Sequence, residues 1–256
     1  MLRSVRKMLG YHIKALDGRF GKIDDFLFDD LSWTVRYLVA DTGRWLPGRK
    51  VLLSPLSLGQ PQWEDHEFSV ELSKKQIEDS PPIEKDELVS RQHEDRLAAY
   101  YNLMPYWVGG VMGGIYVAPS NMGRQTTSTH LGKEAAQMTE KSDYPGNPHL
   151  RSCHEVMSYK IDARDGAIGH AEDFIIDNES WKLRYLVVDT KNWIEGRKFL
   201  VAVSWIRNVD WASASVTVDL TKDEIRESPR YDPSSPIERN YEDNLHEHYA
   251  RSKYWE

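Results

Sequence analysis

The chain has 256 residues, with 33 basic and 40 acidic side chains and a formal net charge of -7. This acidic balance gives no general attraction to nucleic acid or to anionic membranes, and it leaves room only for a local basic patch. The single cysteine, Cys153, excludes an intrachain disulfide and suits a reducing cytoplasm. Residues 1–10 lack the apolar run of a signal peptide, and no segment has the roughly 18 apolar residues of a membrane span. We therefore expect a soluble, cytoplasmic protein.

The sequence is an internal duplication with an offset of 148 residues. The Tyr-Leu-Val triplet at 37–39 recurs at 185–187, and about 39 of 106 aligned positions are identical without a gap. The repeat predicts two modules, residues 1–107 and 149–256, joined by a linker of residues 108–148. A site inherited from a common module would have the same residue types in both copies. Residues that occur in only one copy are therefore weaker candidates for an inherited site.

Each module begins with short strands. In the first copy, residues 11–15 and 20–28 predict two strands joined by a tight turn at Asp17-Gly18. Period-two alternation predicts a third strand over 33–41, and two further strands are predicted at 50–53 and 68–72. Short, closely spaced strands of this kind indicate a barrel or a sandwich.

Helices follow the strands in each copy. Ser73 and Thr221 are N-caps for predicted helices at 73–79 and 221–227, and both helices end before Ser-Pro. Later, apolar and aromatic residues at a spacing of four form one narrow helical face at 89–101 and again at 237–249. Such a face either folds back on its own module or docks on a partner. The predicted fold class is mainly β, with two small barrels that are each followed by short α-helices.

The linker of residues 108–148 differs in composition from the modules. It contains two Gly-Gly pairs, a Ser/Thr/Gln patch and two prolines near its end, without a sustained period. We expect a flexible tether that allows the two barrels to pair within the chain or to reach separate partners.

Histidine and cysteine do not recur between the copies. His93 aligns with Tyr241, His246 aligns with Ala98, and Cys153 aligns with Val5, which indicates a packing role for the cysteine. We therefore predict no inherited catalytic residue, no metal site and no cofactor. An enzyme whose site was gained in only one copy is the alternative.

The recurring segment Trp-x-x-Gly-Arg-Lys is the strongest candidate contact site. Tryptophan and arginine are frequent at the centres of interfaces, whereas the competing interpretation is an aromatic plug that closes one end of the barrel. The candidate interaction residues are Trp45, Arg49, Lys50, Trp193, Arg197 and Lys198.

Several carboxylates also recur, and most of them lie in turns at strand ends. Asp25 and Asp173 are different because each precedes an apolar stretch of strand. We expect Asp25 to pair with Arg36 on the neighbouring strand, as Asp173 would with Arg184, or else to act as a polar binding residue.

The ordered set Asp17-Gly18-x-x-Gly21, Arg36-Tyr37-Leu38-Val39 and Gly48-Arg49-Lys50, present twice, resembles the PRC-barrel family. That family takes its name from the cytoplasmic barrel of the photosynthetic reaction-centre H subunit, and it includes the C-terminal domain of a ribosome-maturation factor. The resemblance covers most of each module. It implies a compact β barrel that works by contact with other macromolecules, without a shared catalytic site.

The expected function is that of a non-enzymatic tandem PRC-barrel protein that serves as a protein-interaction or scaffolding module. The sequence does not identify the protein partners. It is compatible with self-association or with intrachain pairing of the barrels. DNA binding is not expected. Weak binding to RNA or to a membrane surface through the Trp-Arg-Lys segments is the alternative.

Overall fold

The computed structural model describes residues 1–81, 89–107, 148–190 and 197–256. Strands make up 38% and helices 22% of the described residues, with a large mixed sheet, so the predicted mainly β class is confirmed. The predicted linker lies outside the described residues apart from Pro148. Across the four described ranges, no helix combines the length and the apolar character that a membrane crossing requires.

Both repeats contain strands first and helices last. The elements of the first repeat are β1 (Leu2–Ser4), α1 (Val5–Met8), β2 (His12–Ala15), β3 (Gly18–Asp29), β4 (Thr34–Asp41), β5 (Lys50–Leu53), a 3-10 turn (Pro55–Ser57), β6 (Glu67–Ser69), α2 (Lys74–Glu78) and α3 (Arg91–Tyr100). The elements of the second repeat are β7 (Leu150–Ser152), α4 (Cys153–Val156), β8 (Lys160–Ala163), β9 (Gly166–Asp177), β10 (Lys182–Asp189), β11 (Lys198–Ala202), a 3-10 turn (Val203–Trp205), β12 (Ile206–Asp210), β13 (Ser215–Val218), α5 (Lys222–Glu227) and α6 (Arg239–His248).

The strands predicted near 11–15, 20–28, 33–41 and 50–53 are present as β2 to β5. The sequence did not predict β1 and α1, nor their counterparts β7 and α4. Unlike the equally short β2, which the Asp17-Gly18 turn marks, these elements of three and four residues have no hairpin-turn signal beside them.

By its internal contacts, the chain divides into two compact units. The first contains residues 1–10, 23–38 and 151–256, and the second contains residues 11–22 and 39–150. The first unit therefore includes segments from both sequence repeats. The module boundaries at residues 107 and 149 remain a prediction from the sequence repeat.

In the first unit, the strand order is β12-β13-β8-β9-β10. The β13–β8 pair is parallel, and the other pairs along this path are antiparallel. Strand β11 pairs with β10, and β1 pairs with β9, where Leu2 lies opposite Asp177. Tyr159, Phe174 and Phe199 are fully buried in its core.

In the second unit, β2 pairs with the start of β3 in antiparallel register and with β6 in parallel register. Helix α2 has the predicted N-cap: Ser73 accepts from the backbone N–H of Gln76, and the Gln76 side chain accepts from the backbone N–H of Ser73 in return. Asp17 adds a second cap, because its Oδ1 accepts from the backbone N–H of Lys74 at 2.8 Å.

The two longer helices pack inward. Leu97 of α3, in the second unit, is 2% exposed, and Leu245 of α6, in the first unit, is fully buried. Tyr249, at the end of α6, is buried as well. Each predicted apolar face is therefore buried around its leucine, which protects it from water.

Gly169 occupies a position where no side chain fits. Its φ is +156°, and a Cβ at this position would collide with the backbone carbonyl of Asp189. We expect Gly169→Ala to lower the free energy of unfolding by about 2–4 kcal/mol, because β9 must move away from β10. Urea denaturation followed by circular dichroism measures the change.

Gly48→Ala is the matched control, since Gly48 also has a positive φ, +75°, but no atom lies within 4 Å of the added Cβ. Its cost is the conformational term alone, about 1 kcal/mol. Equal losses for the two variants would contradict the close approach at Gly169.

Candidate interaction site

The predicted contact segment forms a loop in the second unit that is held by its own backbone. The Thr42 hydroxyl lies 2.8 Å from the Leu46 carbonyl oxygen and 2.7 Å from that of Arg49, so its single proton serves both acceptors. The backbone N–H of Arg49 donates to the Leu46 carbonyl at 3.1 Å. These contacts fix the path of the chain on both sides of Trp45.

The Trp45 ring is half-buried. Its edge meets Phe20, with a centroid distance of 5.6 Å, and Lys74 Nζ lies 6.0 Å from the ring centroid. The ring is thus packed against its own unit on one side and partly accessible to solvent. Its counterpart, Trp193, lies in the 191–196 gap between described residues.

Arg49 serves the local fold. Its guanidinium donates to the backbone carbonyl of Glu78 at 2.6 Å and to that of Ser80, both at the C-terminal end of α2. Cations stabilise helix C-termini in this way, because the last carbonyls of a helix have no partner within the helix. Lys50 begins β5 with its side chain half-buried.

In the second repeat, Lys198 also has an internal partner, since its Nζ lies 2.6 Å from Glu172 Oε2. Arg197 is half-buried, and its carbonyl oxygen accepts from the Thr190 hydroxyl at 2.9 Å. Because Arg49 and Lys198 have internal partners, less charge remains for phosphate than the sequence suggested.

A cavity of about 150 Å³ lies beside Lys198 in the first unit. Its charged side chains have internal partners: Arg6 Nη1 is 3.3 Å from Glu172 Oε1, and Lys7 Nζ donates to the Pro233 carbonyl at 2.5 Å. Basic and acidic side chains both line the cavity, so its charge is mixed.

Asp173 binds the N-terminal turn of α1 within the first unit. Its Oδ2 accepts from the Ser4 hydroxyl, and its Oδ1 accepts from the backbone N–H of Arg6 at 2.8 Å. Because Ser4 belongs to the first repeat and Asp173 to the second, the contact joins the repeats. A carboxylate at this position satisfies N–H groups that the helix itself leaves without partners.

Asp25, in the first repeat, makes the equivalent contact with the second repeat. Its Oδ2 accepts from the Ser152 hydroxyl at 2.5 Å, and its Oδ1 accepts from the backbone N–H of His154 at 3.0 Å. Both contacts lie within the first unit. We call these two arrangements, Ser4–Arg6 with Asp173 and Ser152–His154 with Asp25, the aspartate clasps.

These contacts correct the predicted aspartate–arginine pairs. Arg36 Nη2 lies 4.0 Å from Asp29, and Arg184 Nη2 lies 3.3 Å from Asp177. The reason is the strand register: Asp173 is opposite Val187, and a bulge after Leu183 leaves Arg184 near the turn that follows Asp177.

Burial shapes the acid–base behaviour of the clasps. It raises the pKa of Asp25 and of Asp173, and the hydrogen bonds from serine and backbone act against that rise. Burial, followed by the nearby charges of these two aspartates, also raises the pKa of the Cys153 thiol well above its usual value. The thiol is therefore protonated at neutral pH and packs as a small apolar group.

A third reciprocal contact lies where β4 meets β10. Trp33 and Trp181 both have positive φ, 52° and 56°. The backbone N–H of Val35 donates to the Trp181 carbonyl at 2.8 Å, and that of Leu183 donates to the Trp33 carbonyl at 2.8 Å. The two turns thus hold each other by exchanging one hydrogen bond each way.

The sequence analysis missed a buried glutamate cluster that occurs in both units. Glu242 is 2% exposed, accepts from the Tyr254 hydroxyl at 2.8 Å and lies 3.0 Å from Arg239 Nη1. Glu94 has the corresponding contacts with Tyr106 and with the guanidinium of Arg91. The identical Glu and Tyr-Trp positions were the available signal, but the helix ends between Glu242 and Tyr254, so no single helical or strand period relates the two residues.

His246 extends this cluster in the second repeat. Its Nε2 lies 3.1 Å from the Tyr185 hydroxyl, and its Nδ1 lies 2.9 Å from the Ser252 carbonyl oxygen. A carbonyl only accepts, so Nδ1 carries the proton and Nε2 faces the hydroxyl. Burial lowers the pKa of His246, and burial with the adjacent Glu242 raises that of Tyr185.

Neither a scan against models of known protein families nor a search of curated proteins finds a match to this chain. Within the ranges that the structure describes, no group of three or more His, Cys, Asp or Glu side chains is arranged to hold a metal ion.

Removing one aspartate clasp should destabilise the fold measurably. We expect Asp173→Ala to lower the free energy of unfolding by about 1–3 kcal/mol, because two part-buried donors lose their acceptor. Asp173→Asn should lose less, since its Oδ1 still accepts from Arg6 and its Nδ2 donates to Ser4. Chemical denaturation at a fixed pH gives both values.

Comparison of the wild type with Asp173→Asn tests the raised pKa of Asp173. A raised folded-state pKa contributes stability below the unfolded-state pKa, and this stability is lost as pH rises through the folded-state pKa. Asp173→Asn should therefore gain stability relative to the wild type between about pH 4 and pH 7. A constant difference over that range would contradict the burial argument.

His246 should give the opposite dependence of stability on pH. We expect His246→Ala, which restores the residue of the first repeat, to cost about 2–4 kcal/mol at alkaline pH through the cavity it leaves. Glu242, Tyr185, Tyr254 and Lys253 face the ring or act on its charge.

A lowered histidine pKa contributes stability above the unfolded-state value, and this stability is lost as pH falls through the folded-state value. The gap between the wild type and His246→Ala should narrow below about pH 6.5. Unfolding midpoints measured across this range check the trend, and a gap that widens with acidity would contradict it.

Proposed function

We propose that this chain is a tandem PRC-barrel protein of the cytoplasm that presents its recurring Trp-x-x-Gly-Arg-Lys segments to protein partners. Its role is non-enzymatic contact, as an interaction or scaffolding module. The motifs shared with the PRC-barrel family occur twice in the same order, and the mainly β fold is compatible with them. Family membership and the barrel arrangement are parts of this proposal.

The observation that carries the proposal is the fixed, half-buried Trp45. Tryptophan contributes more binding energy per residue at protein interfaces than most side chains. A loop whose backbone is already held, here by Thr42 and by the guanidinium of Arg49, loses little conformational entropy when a partner binds. The segment therefore combines an anchoring side chain with a preorganised backbone.

The recurring polar residues support contact rather than catalysis because the fold itself uses them. Asp25 and Asp173 bind helical turns, while Glu94 and Glu242 bind tyrosine hydroxyls. A general base would need a carboxylate or imidazole that is open to a substrate. What the duplication has kept is a framework together with a recurring tryptophan, and in the first repeat this residue, Trp45, is partly exposed.

The test compares two tryptophan pairs that both recur. We expect Trp45→Ala/Trp193→Ala to remove partners that the wild type retains at constant stoichiometry when it is isolated from the organism that encodes it. Quantitative mass spectrometry of crosslinked complexes identifies these partners, and a reconstituted complex should bind the variant at least about 30-fold more weakly.

Trp63→Ala/Trp211→Ala is the control, since these half-buried rings pack on Phe68 and Tyr159. It should keep the partners, and both variants must keep the circular dichroism spectrum of the wild type. Loss of partners in the control alone, retention of RNA or anionic vesicles instead of protein, or turnover of a copurified small molecule would overturn the proposal.

A further inference from the structure

Several contacts between the repeats occur in pairs related by the offset of 148. Strand β1 of the first repeat pairs with β9 of the second, and β7 of the second pairs with β3 of the first. The two aspartate clasps and the two hydrogen bonds between the tryptophan turns obey the same relation. Each repeat therefore offers a serine-led segment and a receiving aspartate, and it accepts the same from the other repeat.

This reciprocity defines an isologous surface. In such an interface, each partner presents one self-complementary patch, as in two-fold symmetric homodimers. Packing that resulted only from the linker between the repeats would have no reason to repeat donor for donor and acceptor for acceptor.

The centre of the surface is apolar and buried. Val5 and Cys153, which follow the two clasp serines, are fully buried, and so are Phe28 and Phe174. The rings of Phe28 and Phe174 come from different repeats, with their centroids 5.7 Å apart. A repeat without its partner would expose these groups to water, which disfavours the separated state.

We propose that this surface is a self-contained recognition site for a second module of the same kind, and that it holds the repeats together without the linker. In the intact chain, the occupant is the other repeat. A second copy of this chain offers the same serines and aspartates, so the surface also fits that copy when the two halves are free to exchange.

The test cuts the folded chain between the repeats. A protease site inserted between Gly123 and Arg124, outside the described residues, allows cleavage after the full chain has folded. We expect the two halves to stay in a 1:1 complex at micromolar concentration in analytical ultracentrifugation and native mass spectrometry. Cut chains with different isotope labels should form mixed pairs after incubation in mild denaturant and its removal.

The clasp variant separates specific recognition from general adhesion. Asp25→Ala/Asp173→Ala should weaken association of the cut halves about 100-fold, or roughly tenfold for each clasp, which corresponds to ~1.4 kcal/mol apiece. Asp25→Asn/Asp173→Asn, which preserves the shape, should weaken it less and serves if the alanine variant does not fold.

Asp17→Ala/Asp165→Ala is the matched control. These recurring aspartates also accept from a helix N-terminal N–H, at 2.8 Å from Lys74 and 2.9 Å from Lys222, but within their own repeat. The control should lower thermal stability and leave the dissociation constant of the halves within about threefold. Separation of the wild-type halves at micromolar concentration, absence of mixed pairs, or equal weakening by both aspartate pairs would overturn the inference.

Discussion

A carboxylate at the start of a short helix is the interaction on which the first unit depends. Helix α1 has four residues, and an isolated helix of that length is unstable in water. It forms because Asp173 accepts from its first turn and because Val5 and Met8 are buried. Once α1 is held, β1 lies along β9, and the reciprocal clasp at Asp25 does the same for α4 and β7.

At the two tryptophan turns, contact between the repeats compensates for local backbone strain. A non-glycine residue with positive φ costs on the order of 1–3 kcal/mol and persists only where its surroundings determine it. At Trp33 and Trp181, that determination comes from the other repeat, whose backbone N–H binds the tryptophan carbonyl. The strain at Trp33 and Trp181, the capping of α1 and α4, and the contact of Phe28 with Phe174 thus depend on the partner repeat being in place.

The sequence predicted what is local and missed what is distant. Alternation and the Asp17-Gly18 turn were sufficient for β2 to β5, and Ser73 was sufficient for the start of α2. The partner of Asp25 could not be read in the same way, because Ser152 is 127 residues away and the register of β9 and β10 contains bulges. The glutamate clusters escaped for a related reason: helix α6 places Glu242, but the chain after it returns Tyr254 to the carboxylate.

Covalent joining of the repeats removes a restriction that a true homodimer would face. On a two-fold axis, every substitution occurs twice and must be compatible with its own image. Here Val5 corresponds to Cys153, Arg6 to His154 and Lys7 to Glu155, so the two clasps share their serine and aspartate while the next positions differ in size and in charge. One copy can therefore change its surface while the other preserves the fit, which gives a nearly symmetric framework two chemically different faces.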